Sequence, residues 1–250
     1  MLSAFFEEKD KVKKRMEKRF CSAIIPAAGK GSRMGTAIKK QFLQLLGKEV
    51  IIHTLERFEQ CEAIDEIIVV TSGDMVDAMK ALLTKYGMKK VTQVIAGGKE
   101  RQDSVYQGLL HVNEKADVIV VHDGVRPFVQ EQDLIKTIEV AREEGACILG
   151  VPVKDTIKVC NKNQEVISTP ARKTLWAIQT PQVFRKDILQ KGYHKAYQEG
   201  FMGTDEAMLV ERLGIGVKVA TGSYDNIKIT TKEDLFLAEA LLARKQEGEK

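Results

Sequence analysis

The stretch "CSAIIPAAGKGSRMG" (Cys21–Gly35) decides how the rest of the chain is read. An apolar run ends at Ile25 and passes at once into a loop with Gly29, Gly31 and Gly35 interleaved with Lys30 and Arg33. A buried strand that ends in a glycine-rich, cationic loop is where an open α/β sheet receives an anion. The loop is not the dinucleotide fingerprint GxGxxG, because Met34 stands where the third glycine belongs. It is not a Walker A loop either, since no GK[ST] closes it. Lys39 and Lys40 follow shortly. Several cations around a backbone nest suit a triphosphate better than a diphosphate bridge.

Working outward, strands are expected at Ala23–Pro26, Glu66–Thr71, Thr92–Ile95, Val118–Val121 and Cys147–Val151. Helices are expected at Val50–Gln60, Asp74–Tyr86, Ser104–Val112 and Glu131–Glu144. The runs "IIVV" and "VIVV" do not alternate with polar residues, which suits strands covered on both faces. Strand–helix–strand in this rhythm predicts an α/β chain with a Rossmann-like open, mostly parallel sheet. The rhythm breaks at Pro152. Two β-branched runs around the polar turn "NKNQ" predict a hairpin inserted as an arm over about 152–179. Helices resume at Lys186–Glu199 and Asp205–Leu213, a strand follows at Val217–Ala220, and Lys232 to about Lys245 closes the chain as a helix.

Composition narrows the class. A chain of 250 residues, 44% hydrophobic, is long enough for one sizeable core. Residues 1–20 hold seven Lys/Arg against four Asp/Glu, so they carry most of the net charge of +4. The body therefore shows no basic stripe for nucleic acid. No apolar run approaches the roughly 20 residues of a membrane span. Residues 1–20 read as an accessory charged helix rather than a signal peptide, and 21–250 as a single domain. Cys21, Cys61, Cys147 and Cys160 form no CxxC pair, which argues against zinc and fits a reducing cytoplasm.

Two further strand-end loops point to the same edge of the sheet. "AGGKERQDSV" offers paired glycines that let backbone approach a flat base, then Ser104 at a helix start. "VHDGVRPF" places Asp123 where it could face a magnesium ion or a sugar, with Arg126 three residues on. Among the histidines only His122 adjoins such a loop, and it reads as structural.

Taken together, "IIPAAGKGSRMG", "KKQF", "GGKERQDSV", "VHDGVRPF", "PVKDTIK", "QTPQVF", "GTDEAMLVE" and "DNIKITTKEDL" resemble the 2-C-methyl-D-erythritol 4-phosphate cytidylyltransferases from about Ala23 to Leu242. The resemblance implies a nucleotidyltransferase-type fold. It implies transfer of CMP from CTP to methylerythritol phosphate, with Mg²⁺ held mainly by the CTP phosphates, and a homodimer whose arm crosses to the partner. Carried over by motif, Arg33 and Lys40 would stabilise the transition state. Ala27, Ala28, Gly29 and Gly31 would hold the triphosphate, and Gly98 and Ser104 the cytosine. Asp123 and Arg126 would stand between nucleotide and substrate. Thr156, Arg172, Thr180, Thr204 and Lys228 would hold the sugar phosphate. The chain departs from the family pattern at Lys39, where proline is usual. A ribitol-5-phosphate cytidylyltransferase is the near alternative, although such enzymes tend to carry "LAGG" where this chain has Ala27-Ala28-Gly29. A non-catalytic nucleotide sensor on the same fold is the distant one.

Overall fold

The computed structural model describes residues 19–29 and 40–248. The expected accessory helix lies outside the described residues, apart from its last two positions; Phe20 opens the first strand instead. In chain order the described residues begin with β1 (Phe20–Pro26), a two-residue ribbon β2 (Gln44–Leu45) and β3 (Lys48–Glu49), and α1 (Val50–Gln60). Next come β4 (Glu66–Thr71), α2 (Val76–Tyr86), β5 (Val91–Ala96), α3 (Arg101–His111), β6 (Ala116–Val121), α4 (Glu131–Glu144) and β7 (Ala146–Pro152). The remainder is β8 (Val159–Cys160), β9 (Val166–Ser168), β10 (Trp176–Arg185), α5 (Lys186–Gln198), α6 (Glu206–Glu211), β11 (Lys218–Thr221) and α7 (Lys232–Gly248).

Seven strands form one sheet in the order β11-β7-β10-β6-β1-β4-β5. β1 pairs parallel with β4 and β6, β4 with β5, and β7 with β11. Within this sheet only β10 runs antiparallel, between β6 and β7. The non-alternating apolar runs are explained by their two faces. Ile67, Val69, Val118 and Val120 pack with Ile51, Leu55, Met79, Leu134 and Ile138 on one side. Ile68, Val70, Ile119 and Val121 pack with Val105, Leu109, Leu189 and Leu209 on the other. Each such side chain fully buried stabilises by about 1.5–3 kcal/mol. A third cluster around Val50, Val125, Phe128, Ile229 and Leu241 holds α7 against one end.

Three expectations are corrected. α3 begins at Arg101, three residues before Ser104, so Arg101 stands in its first turn. The segment "WAIQTPQVFR" is a ten-residue strand of the main sheet, not the back of the arm. Its first residues pair with β7 as Trp176↔Pro152 and Ala177↔Val151, so the projecting hairpin lies between Pro152 and Trp176. Within it β8 and β9 pair antiparallel across the polar turn.

α3 meets the sheet through Gly108. A Cβ there would lie 2.5 Å from Ile24 Cγ2 and 3.2 Å from Val70 Cγ2, nearer than packed carbons approach. Gly108→Val should therefore destabilise the protein by about 1–3 kcal/mol through overpacking. A lower urea midpoint is the expected result. An unchanged midpoint would show that α3 lifts from the sheet without cost.

Candidate active site

Parallel pairing delivers the carboxyl ends of β1, β4, β5 and β6 to one edge of the sheet, where they surround an open cleft of about 870 Å³. Backbone bonds continue past the strand ends and hold the loops in register. Ala27 N–H donates to Val70 O at 2.7 Å, Gly97 N–H to Thr71 O at 2.7 Å, and Gly124 N–H to Pro26 O at 3.2 Å. Of the residues singled out in the sequence, Ala27, Ala28, Gly29, Gly98, Ser104, Asp123 and Lys228 line the cleft. Gln41, Asp74, Lys99 and Arg101 line it too.

The two loop glycines are needed for packing. A Cβ on Gly97 would sit 2.5 Å from Ser104 Oγ, and one on Gly98 2.3 Å from Asp103 Cβ. The loop backbone thus lies flat on the start of α3. Ser104 is buried there and its hydroxyl donates to Glu100 O at 3.0 Å. Gln41 reaches back from the turn Lys40–Phe42 and donates its amide to Ala27 O.

Asp123 is the electrostatic centre. It is 6% exposed at the end of β6. Lys228 Nζ stands 2.7 Å from Oδ2, Arg101 Nε 3.3 Å from Oδ1, and Arg126 Nε 3.8 Å from Oδ2. Burial alone would raise its carboxyl pKa, but Arg101, Lys228 and Arg126 together hold it well below the usual carboxylate range. Arg101 also donates through Nη1 to both oxygens of Glu206, at 2.8 and 3.0 Å. Arg126 is anchored from behind, its Nη1 donating to Asn226 O at 2.7 Å. Asn226 donates to Thr180 O at 2.9 Å, which ties the segment before α7 to β10.

A relay of neutral groups fixes the Asp123 backbone. Asp123 N–H donates to Thr180 Oγ1 at 3.1 Å, and the Thr180 hydroxyl donates to His122 Nδ1 at 3.1 Å. His122 Nε2–H donates to Arg126 O at 3.0 Å. A carbonyl only accepts, so Nε2 carries the proton, and burial disfavours a second proton on Nδ1. Burial lowers the His122 pKa to about 4. The histidine is structural, as its sequence setting suggested. Both its nitrogens are engaged, so it is no general base.

The other expected residues divide. Arg126 and Thr180 touch Asp123 behind the cleft. Thr204 is exposed, its N–H and hydroxyl turned to Met208 Sδ at 3.4 and 3.2 Å, and it does not line the cleft. Thr156 and Arg172 are exposed on the arm, where Arg172 Nη1 donates to Lys154 O at 2.9 Å. Gly31 and Arg33 lie outside the described residues, and of Lys40 only its place at the start of a short turn is described. Sequence reading missed Arg101, Glu206, Gln41 and Asn226, although each sits inside a quoted motif. Their partners are up to 105 positions away, so spacing could not reveal them.

An open α/β sheet, glycine-rich loops at its carboxyl edge and a cation-ringed aspartate define a nucleotide-handling transferase of the nucleotidyltransferase type. Comparison with known proteins narrows this. The family described as "IspD: 2-C-methyl-D-erythritol 4-phosphate cytidylyltransferase" matches residues 21–244. A protein of that name from Alkaliphilus metalliredigens is 49% identical over 229 residues, covering 91% of this chain and 95% of its own. One from Alkaliphilus oremlandii is 46% identical over 228 residues, covering 91% and 97%. The crystal structure of 4-diphosphocytidyl-2C-methyl-D-erythritol synthase from Anaerococcus prevotii superposes with a TM-score of 0.80 at 37% identity, covering 90% of this chain and 96% of that one. The chain belongs to the 2-C-methyl-D-erythritol 4-phosphate cytidylyltransferase family. It is a nucleotidyltransferase of the non-mevalonate isoprenoid pathway.

The His122 geometry gives a pH test. An unfolded histidine takes a proton as pH falls through 6.5, whereas buried His122 does so only near 4. Between these values the unfolded state binds more protons, so His122 makes stability fall as pH falls from 6.5 towards 4. Asp123 acts lower, since its depressed pKa means its stabilisation is lost only below its ordinary value of 3.8. His122→Gln, compared with wild type by chemical denaturation, should show a shallower loss of stability across that upper window. Equal slopes would mean that His122 titrates normally.

Proposed function

We propose that the cleft binds CTP and methylerythritol phosphate and transfers CMP, giving 4-diphosphocytidyl-2-C-methylerythritol and pyrophosphate. What carries this reading is the convergence of the glycine loops and the Asp123–Lys228–Arg101 cluster on one cleft in a chain of this family. The methylerythritol phosphate oxygen attacks the α-phosphorus. One P–O bond forms and the bond to the leaving pyrophosphate breaks. A phosphate monoester is already largely dianionic at pH 7, its second pKa being about 6, so no general base is required. The engagement of both His122 nitrogens agrees with that. The barrier is the approach of one anion to another, and cations that neutralise the transition state lower it. Arg33 and Lys40 take that role, with Ala27, Ala28, Gly29 and Gly31 cradling the triphosphate. Gly98 and Ser104 read the cytosine. Lys228, Asp123, Arg126, Thr180 and Thr204 order the sugar-phosphate side.

Bound together with the nucleotide, Mg²⁺ would supply further charge neutralisation. Among the described residues no three His, Cys, Asp or Glu side chains cluster to hold a metal, and Asp123 is already engaged by three cations.

The arm is assigned to a homodimer. Ile157, Val159, Val166 and Ile167 are exposed on a short hairpin that is marginally stable by itself. A two-fold partner offering the same arm covers such a surface most simply. Thr156 and Arg172 would then serve the partner's cleft. A cytoplasmic, soluble enzyme fits four free cysteines, three of them buried, and among the described residues no helix long and apolar enough to cross a membrane.

Pyrophosphate release with CTP, UTP, ATP and GTP, against methylerythritol phosphate and ribitol 5-phosphate, tests the whole reading. CTP with methylerythritol phosphate should be fastest, and ribitol 5-phosphate taken equally well would overturn it. Arg33→Ala or Lys40→Ala should lower kcat about 100-fold or more. Wild-type turnover in either would remove the assigned role. Mixing Arg172→Ala subunits with Arg33→Ala subunits should restore one working site per heterodimer. A monomer in solution, or inactive verified heterodimers, would refute the crossing arm.

A further inference from the structure

Arg101 stands between two carboxylates supplied by different parts of the fold. It lies in the first turn of α3, directly after the paired glycines. Its Nε faces Asp123 Oδ1 at 3.3 Å, and its Nη1 grips both oxygens of Glu206. Glu206 is 1% exposed, opens α6, does not line the cleft and also accepts the Tyr193 hydroxyl at 3.3 Å. Taking a carboxylate this far from water costs several kcal/mol before pairing, and apolar residues would join α3 to α6 as well or better.

The geometry points to a different use. A guanidinium is a planar fork, so fixing one edge on Glu206 sets the direction of the other. That other edge meets Oδ1 of Asp123, while Oδ2 receives Lys228 Nζ at 2.7 Å. We infer that Arg101 and Glu206 are positioning residues for CMP transfer, acting through Asp123 to aim the Lys228 ammonium into the cleft. Glu206 orients the guanidinium, the guanidinium orients the carboxylate, and the carboxylate holds the lysine that the segment before α7 brings to the cleft. This inference rests on the cleft being the CMP-transfer site.

The test is a double-mutant cycle, because a residue acting through Lys228 loses its effect once Lys228 is gone. Glu206→Gln keeps the shape and removes the charge. Arg101→Lys keeps the charge but cannot span two carboxylates. Each alone should lower kcat/KM with CTP and methylerythritol phosphate by about 10–100-fold, the range expected of a misplaced reactive group. In a Lys228→Ala background each should cost less than about 2-fold, as the shared path predicts. Equal losses in both backgrounds, or none in either, would overturn the role. Thermal melting accompanies each variant, and should Glu206→Gln not fold, the Arg101→Lys cycle decides the matter by itself. An active wild type with additive losses refutes the positioning role alone. An inactive wild type refutes the transferase reading with it.

Discussion

A buried carboxylate without partners is among the costliest groups a protein can hold. Asp123 would be such a group without its three cations, and their placement organises the carboxyl edge of the sheet. Arg101 comes from α3, Arg126 from the loop after β6, and Lys228 from the segment that precedes α7. None of these elements is adjacent in sequence to all the others. Each cation stays near Asp123 only while its own loop is correctly placed, so the charge cluster acts as a check on the fold around it. The backbone of Asp123 is held separately, through Thr180 and neutral His122. Side chain and main chain are thus each pinned, and Arg126 and Asn226 link the two sets of partners. That arrangement gives a carboxylate a defined direction, not just a defined place.

The cleft has two unlike ends. At one, the loop Gly97–Gly98 lies against Ser104 and Ala28 so closely that a Cβ on Gly97 would sit 3.2 Å from Ala28 Cβ. This end presents backbone and small side chains, which suit a flat, neutral base read by its edge. At the other, Lys228 and Arg101 present charge around Asp123. A nucleotide is itself divided in this way, into a neutral aromatic end and an anionic end. On the function proposed above, a neutral base would meet the glycine end of the cleft and charged groups the Lys228 end.

Local signals were legible where local physics decides. α1 and α4 have the bounds that periodicity and flanking polar residues predicted, and the apolar runs of β4 and β6 fall inside the observed strands. The start of α3 was misplaced because its capping box, Glu100 with Asp103, was overlooked beside Ser104, while the ion pairs of Arg101 are long-range. β10 was hidden because its run is interrupted by Pro181 and because antiparallel insertion into a parallel sheet leaves no periodic trace. Buried Glu206 looks in sequence like an ordinary first-turn acid at a helix N-terminus, and nothing local distinguishes it. The residue types needed for charge neutralisation could be read from the loops. The pairing among them could not, since it is a property of the closed sheet.

β10 shows why the antiparallel exception matters. It starts beside Pro152 at the root of the arm, passes Gln179 and Thr180 behind the cleft, and ends at Arg185. Its ladder with β7 shifts register between Ile178 and Gln182, so the strand is irregular at the very residues that meet the site. There Gln179 donates to Ser223 O, and Asn226 donates to Gln179 and Thr180. Of these, the bond from Asn226 to Thr180 O satisfies a backbone carbonyl of β10 within the irregular stretch. The Thr180 hydroxyl, a side-chain group that no ladder uses, accepts the Asp123 N–H. One strand thus both roots the arm and, through the Thr180 hydroxyl, supports the buried aspartate.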